Sequence, residues 1–269
     1  MKHYTTVLTI AGSDSSGGAG IQADLKTFSA MGCYGMSVIT AVTAQNTVGV
    51  RAIHAIPVNV IAEQIDAVLE DIGADAIKIG MLHSSAVIET VADRLLHHHA
   101  KNIVIDPVMV AKSGDRLLQD EAVQALREVL LPLATIITPN LPEATVLLGR
   151  EVQKMEQMPN AARDLANLGP QAVLLKGGHL EDKQSPDVLF VRHSGKTTLL
   201  DAPRVSTSNT HGTGCTLSSA IAACLAKRMD IEEAVRHAKA YLTRALTIGA
   251  DYRLGKGHGP VHHFHEFWE

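Results

Sequence analysis

Asn209-Thr210-His211-Gly212-Thr213-Gly214-Cys215-Thr216 runs straight into the apolar stretch Leu217 to Leu225. Two glycines and small residues thus open directly into a helix rich in alanine, serine and leucine. The first turn of any helix leaves backbone N–H groups without intrahelical acceptors, and the helix dipole adds partial positive charge there. Glycine removes the Cβ atoms that would hold a ligand off the backbone. The segment therefore predicts an anion site, best explained by a phosphoryl group in transfer, with Cys215 in the first turn. It comes late in a chain that alternates strand and helix patterns, and that placement points to an α/β small-molecule kinase.

Outward from this segment, strands are expected at Thr5–Ala11, Ser37–Thr43, Ala52–Ile56, Ala76–Gly80, Asn102–Asp106, Ala134–Thr138 and Ala172–Lys176. Pro107 and Pro139 stop two of them. A helix is expected near Gly20–Met31. From Pro57, which suits a first helical turn, Val58, Ile61, Ile65, Val68, Leu69 and Ile72 recur at helical spacing. Val87, Ile88, Val91, Leu95 and Leu96 mark another helix, and Val123, Leu126, Val129 and Leu130 a further one. Val188–Val191 and Thr197–Leu200 read as a peripheral hairpin. The last two helices are expected near Thr216–Lys227 and Ile231–Ile248. Short strands, apolar throughout and alternating with amphipathic helices, predict an α/β fold: three αβα layers, a central, mostly parallel sheet flanked by helices, and a small peripheral β element. Ligands then bind beyond the C-terminal strand ends, where Gly12–Gly20, Gln45-Asn46, Gly80-Met81, Asp106-Pro107-Val108, Asn140, Lys176-Gly177-Gly178 and Gly212–Cys215 converge.

The 269 residues suffice for a sizeable core, and residues 1–269 are expected to form one domain. A net charge of −4 without a basic run argues against nucleic acid or a membrane surface as partner. Aromatic residues at 3% argue against stacking platforms for single strands. Met1-Lys2-His3-Tyr4 leads into a strand-like run rather than a signal-peptide core, and no apolar stretch reaches membrane-spanning length. Cys33, Cys215 and Cys224, an odd count, fit free thiols in a reducing cytoplasm.

Each motif has a plainer alternative. Gly12-Ser13-Asp14-Ser15-Ser16-Gly17-Gly18-Ala19-Gly20 fits neither a Walker A loop nor a dinucleotide fingerprint. It reads as a tight turn, or as close backbone approach to a substrate whose hydrogen bonds Asp24 accepts. Asn140 and Glu143 read as a capping arrangement, or as residues that help place Mg²⁺ beside nucleotide phosphates, with Asp106 adding charge. Lys176 is a solvated lysine or a point charge on phosphate. Cys215 is a structural thiol, or one whose pKa the helix N-terminus lowers toward a thiolate, able to serve as general base. His211 neighbours the anion loop. His97-His98-His99 and His258, His262, His263 and His265 lack zinc-type companions. Ala111–Arg116 is a polar segment expected to close over the site.

Taken in order, Ala11–Asp24, Thr43–Thr47, Lys78–Met81, Asp106–Met109, Thr138–Glu143, Lys176–Gly178 and His211–Thr216 resemble hydroxymethylpyrimidine/phosphomethylpyrimidine kinases, the thiamine-pathway branch of the ribokinase-like superfamily. The resemblance implies a three-layer αβα fold and a homodimer. It implies two successive phosphorylations by Mg-ATP: of 4-amino-5-hydroxymethyl-2-methylpyrimidine, then of its monophosphate. It places Gly12, Asp24, Gln45, Met81 and Val108 around the pyrimidine, with Gln45 offering donor and acceptor to the ring edge. It makes Gly212, Thr213, Gly214 and Cys215 an anion hole. It puts Asp106, Asn140, Glu143, Lys176 and Thr213 at the nucleotide, and Asp106 and Glu143 at Mg²⁺, partly through water. The wider superfamily usually has aspartate where this chain has Cys215, so the base stays open. A vitamin B6 kinase shares the fold and a similar heteroaromatic alcohol, and a non-catalytic pyrimidine-binding regulator is the alternative from another class. A nicotinamide dehydrogenase lacks support, because the first glycine loop has the wrong spacing. No fused second enzyme is expected beyond the short histidine-bearing tail.

Overall fold

Strand β1 (Thr6–Asp14) is buried along nearly all its length. Such a strand needs cover on both faces, and the chain supplies it. The structure is a computed structural model that describes residues 2–109, 119–178 and 186–268; the expected closing segment Ala111–Arg116 lies outside them. After β1 come α1 (Gly20–Ala30), β2 (Tyr34–Gln45), β3 (Val50–Ala55), α2 (Val58–Asp71), β4 (Ala76–Ile79), α3 (Ser85–His97) and β5 (Ile103–Ile105). Helix α4 (Asp120–Ala125) runs on through a π-turn at Leu126–Leu130 and a 3-10 turn at Leu131–Leu133. Then follow β6 (Ile136–Ile137), α5 (Leu141–Leu148), α6 (Met158–Ala166), β7 (Ala172–Lys176), β8 (Asp187–Val191), β9 (Lys196–Leu200), α7 (Thr213–Ala226) and α8 (Ile231–Gly249).

Among the described residues the strands form one nine-stranded sheet in the order β3-β2-β1-β4-β5-β6-β7-β8-β9. The six from β2 to β7 run parallel. The edges, β3 and the β8–β9 pair, are antiparallel. The hairpin expected as peripheral therefore extends the main sheet, and β8 is buried at every residue.

Side-chain alternation sorts the core into two layers. Leu8, Ile10, Ile77, Ile79, Ile103, Ile105, Val173 and Leu175 face α2 to α6, while Val7, Val104, Ile136, Ala172 and Leu174 face α1, α7 and α8. Helix α7 has no solvent face, since every residue from Thr216 to Ala226 is buried. Burial of one such side chain, Ile221, contributes about 1.5–3 kcal/mol. This packing fixes the head of α7 against the sheet. Helix α6 went unread in the sequence because its buried set is largely alanine: Met158, Ala161, Ala162, Leu165 and Ala166. The chain turns opposite ways from β1 to β2 and from β1 to β4, so a cleft opens above the ends of these strands.

Candidate active site

The floor of the cleft is a buried ion pair. Lys78 in β4 and Asp24 in α1 lie 2.9 Å apart, both with side chains wholly inaccessible. Thr9 Oγ1 donates to Asp24 Oδ2 at 2.6 Å and Ser219 Oγ to Oδ1 at 2.7 Å. A buried carboxylate is tolerated when its lone pairs are taken up in this way. The sequence reading of Asp24 as a substrate acceptor is thereby corrected: both oxygens are occupied from β1, β4 and α7, and Asp24 braces the site from beneath. Burial alone would lower Lys78, but the Asp24 carboxylate, with Asp106 beyond it, holds it above the ordinary lysine range.

Asp14, at the end of β1, organises the glycine-rich loop. Its Oδ1 accepts from Ser16 N–H and Oγ at 2.8 and 2.7 Å, and its Oδ2 from Gly18 and Ala19 N–H at 3.2 and 2.9 Å. His211 Nε2 lies 2.8 Å from Oδ2, which ties this loop to the anion segment. Burial alone would raise Asp14, but His211, Ser16 and Ala19 together hold it far below the usual carboxylate range. Sequence reading missed both Asp14 and Lys78 as site residues. An aspartate two positions before a serine is an Asx-turn signal that points to the former.

Gly212 is the N-cap of α7, with φ of 77° and no side-chain cap. A Cβ there would overlap the Gly18 carbonyl, so the two glycine loops meet backbone to backbone. Helix α7 begins at Thr213, three residues earlier than the pattern predicts, which makes Cys215 its third residue. The N–H groups of Gly214 and Cys215 head a helix whose geometry gives them no intrahelical acceptor. Thr213 N–H reaches only loosely toward Thr210 O, at 3.4 Å, and its hydroxyl donates to the same carbonyl at 2.8 Å.

Asp106, just past β5, reaches this helix head. A Cβ on Gly214 would lie 3.2 Å from Asp106 Oδ2 and 3.5 Å from Lys176 Nζ. Lys176, at the end of β7, donates to Asp106 Oδ1 at 3.0 Å, and Thr138 Oγ1 donates to the same oxygen at 3.2 Å. Burial alone would lower Lys176, but Asp106 and Glu143 raise it. Asn140 and Glu143 form a complete capping box on α5, with reciprocal bonds of 2.9 and 2.8 Å. Burial, with help from the Asp106 charge and against Lys176, pushes buried Glu143 up to about 7. The capping role and the position beside Lys176 and Asp106 are thus both real.

Cys215 departs from expectation. The helix N-terminus predicts a lowered thiol pKa; instead burial, joined by the Asp24 and Asp106 carboxylates, pushes it up to about 11 against the pull of Lys78 and of Gly20 N–H. The thiol is therefore protonated at neutral pH.

On the opposite side, Gly12 backs onto Met81, whose Cε would lie 2.9 Å from a Cβ there. Thr40 Oγ1 fixes the Met81 carbonyl at 3.0 Å. Gln45, at the end of β2, exchanges backbone bonds of 2.9 and 2.8 Å with Ser15 Oγ. Its Oε1 is 3.2 Å from Thr43 Oγ1 and its Nε2 3.5 Å from His211 Nε2. Half-buried Val108 donates its N–H to Asp106 O at 2.8 Å. A cleft of about 500 Å³ between Arg150, Asn160 and Arg163 contains none of these residues. Among the described residues no three or more His, Cys, Asp and Glu side chains gather as a metal cage, and no helix is long and apolar enough to cross a membrane.

A strand-end cleft with a helix head, a lysine and two carboxylates suits phosphoryl transfer, and comparison with known proteins agrees. The family model for phosphomethylpyrimidine kinase matches residues 14–262. The hydroxymethylpyrimidine/phosphomethylpyrimidine kinase of Salmonella typhimurium is 54% identical over 262 residues, covering 97% of this chain and 98% of that protein. The crystal structure of phosphomethylpyrimidine kinase from Clostridium difficile superposes with a TM-score of 0.80 at 48% identity, over 89% of this chain and 98% of that one. The Staphylococcus aureus pyridoxal kinase, solved with AMP-PCP and pyridoxal, gives a TM-score of 0.90 at 35% identity, over 99% and 96%.

Proposed function

This chain belongs to the phosphomethylpyrimidine kinase family, and from that premise we propose that it phosphorylates 4-amino-5-hydroxymethyl-2-methylpyrimidine on its hydroxymethyl oxygen and then phosphorylates the monophosphate, in thiamine biosynthesis. The chain is a kinase of the ribokinase-like fold, and its family uses ATP. The family relationship carries the choice of substrate, and the observation that carries phosphoryl transfer is the meeting of Gly214 with the Asp106–Lys176 pair at the head of α7. It brings a phosphoryl-binding backbone and a balancing cation to one point.

In this reading the Gly214 and Cys215 N–H groups bind the oxygens of the transferring phosphoryl group, and Gly212 holds them in place. Lys176 neutralises the developing charge, and the Gln45 amide orients the pyrimidine against Gly12, Met81 and Val108. Most of the rate comes from such positioning and electrostatics. Asp106 and Glu143 fit a role toward Mg²⁺: both carboxylates lie within electrostatic reach of Lys176, and burial, with the Asp106 charge, raises Glu143 in a way a bound cation would offset. Mg²⁺ takes few carboxylates beside phosphate and water; when bound, it would neutralise phosphate charge. Asn140 serves there by capping α5. Cys215 has no preformed thiolate, so as a base it takes the hydroxymethyl proton only as phosphorus–oxygen bonding develops, a late demand in a loose transition state.

The single sheet supports reading residues 1–269 as one domain. Exposed Val42, Val48, Val50 and Ile53 on the β2–β3 edge support a homodimer, and three free thiols support a cytoplasmic setting. Mass analysis after incubation with Mg-ATP and the pyrimidine tests the function: masses of monophosphate and then diphosphate are expected, and unchanged pyrimidine rejects it. The likeness to pyridoxal kinase favours vitamin B6 turnover as a second reading. Relative kcat/KM for pyridoxal and the hydroxymethylpyrimidine decides between them.

A further inference from the structure

Residues 258–265 take no part in the chemistry above, yet they hold the anion segment from behind. His258 N–H donates to Thr47 O at 2.9 Å. His211 N–H donates to Gly259 O at 3.0 Å, and His211 bridges to Pro260. Asn209 Nδ2 donates to the carbonyls of Gly249 and Tyr252 at 2.7 and 2.6 Å. His262 N–H donates to Ala245 O at 3.1 Å, and Tyr241 Oη donates to His263 O at 2.6 Å, so this stretch is anchored on α8.

From that anchorage one side chain reaches the helix head. His263 Nε2 lies 3.1 Å from Thr216 Oγ1, both residues being buried. Thr216 Oγ1 in turn donates to the Gly212 carbonyl at 2.8 Å, which also receives Thr216 N–H at 2.8 Å. A hydroxyl has one proton. With that proton spent on Gly212, the ring nitrogen supplies the other hydrogen, so Nε2 carries the N–H. The Gly212 carbonyl and Thr213 N–H belong to one planar peptide and point opposite ways. That N–H faces Thr210 O, 3.4 Å away, so fixing the carbonyl fixes the peptide that opens α7, from which the Gly214 and Cys215 N–H groups follow.

We propose that His263 is a positioning residue for phosphoryl transfer, acting through Thr216 and the Gly212 carbonyl to hold the first turn of α7 in aim. This rests on the reading of Gly212–Cys215 as the phosphoryl-binding loop. Burial, reinforced by Lys26, His262 and His265, pushes His263 down to about 3, so the ring stays neutral across ordinary assay pH. Gly212 has no side-chain cap of its own, so the first-turn N–H groups stay open to a ligand while the relay holds the carbonyl side of the turn.

Steady-state kinetics of the full chain with Mg-ATP and the hydroxymethylpyrimidine test this. His263→Leu is expected to lower kcat about 10- to 100-fold, the scale of a small misplacement in a reacting site, with pyrimidine KM almost unchanged. His263→Gln, which can place an N–H near the Nε2 position, restores most of the loss. Thr216→Val loses a similar factor, and the His263→Leu/Thr216→Val double variant is no slower than its slower parent, as members of one unit behave. An active wild type with unaltered kcat in His263→Leu overturns this inference alone. So do fully additive losses in the double variant, and so does equal damage in His263→Gln and His263→Leu. Where circular dichroism shows that His263→Leu does not fold, His263→Gln and Thr216→Val decide: near-normal kcat in the first with loss in the second supports the relay, and any other pattern overturns it. A wild type that makes no phosphorylated pyrimidine overturns the loop reading, and this inference with it.

Discussion

Lys176 Nζ lies 3.0 Å from Asp106 Oδ1, and the pair stands against Gly214 at the head of α7. A cation from the end of β7 and a carboxylate from the end of β5, with β6 between them, thus meet the helix N-terminus at one corner. Lys176→Met should lower kcat by about 10²–10³, the scale for losing one preorganised transition-state contact. Wild-type kcat in that variant, measured at saturating Mg-ATP, would remove Lys176 from the mechanism.

Cys215 makes two predictions of one kind. With its thiol pushed up to about 11, alkylation of this residue by iodoacetamide, followed by peptide mass analysis, should be slow at pH 7 and climb steadily to pH 10. A plateau near neutrality would reveal a thiolate the structure does not support. Cys215→Ala should lower kcat about 10²–10⁴-fold if the sulfur accepts the proton, and near-normal turnover would leave the loop with a purely orienting role.

In the proposed reading Gln45 meets the ring rather than the phosphate. Gln45→Leu should raise the pyrimidine KM by an amount equivalent to about 1–3 kcal/mol, the cost of an unpaired polar edge. Its kcat should change little. Unaltered KM would count against the placement.

Asp14 ties acid sensitivity to the glycine loop. Its folded pKa lies below its ordinary value of 3.8. Its contribution is therefore present above that value and fades as pH falls through and below it. Asp14→Asn should cost about 1–3 kcal/mol near neutrality, read by denaturant titration, and the gap between variant and wild type should shrink toward pH 3. A constant gap across that range would refute the assignment.

Lys78 and Asp24 should behave as one unit. Lys78→Met alone leaves a buried carboxylate unpaired and should cost about 3–5 kcal/mol. The Lys78→Met/Asp24→Leu pair should recover most of it. Equal destabilisation by the single and double variants would show that the pair is not coupled.

Much of the architecture could be read from apolar runs and prolines. Strand β7 falls at Ala172–Lys176 as expected, and Pro107 and Pro139 follow β5 and β6 closely. The hairpin falls where Val188–Val191 and Thr197–Leu200 predict it, at the edge, and its continuity with the main sheet follows from the unbroken run Val188-Leu189-Phe190-Val191, the mark of a strand covered on both faces. Within the site, residues adjacent in sequence were legible and residues joined by folding were not. Asp24 and Lys78 are 54 positions apart, and nothing local announces their pairing. Cys215 was judged by its helix end, a sequence-level cue, while the burial and distant carboxylates that outweigh it exist only after folding. At Glu143 the capping box coexists with a position within electrostatic reach of Lys176 and Asp106, so the local cue and the folded environment do not compete.

The contacts from residues 258–263 to Thr47, His211 and Thr216 bear on when the enzyme becomes competent. Translation delivers that stretch after every element it supports. A ribosome-bound chain with its sheet already assembled would still lack the support behind the amides at the head of α7, so on the positioning role proposed for His263 turnover begins only once those late residues have docked.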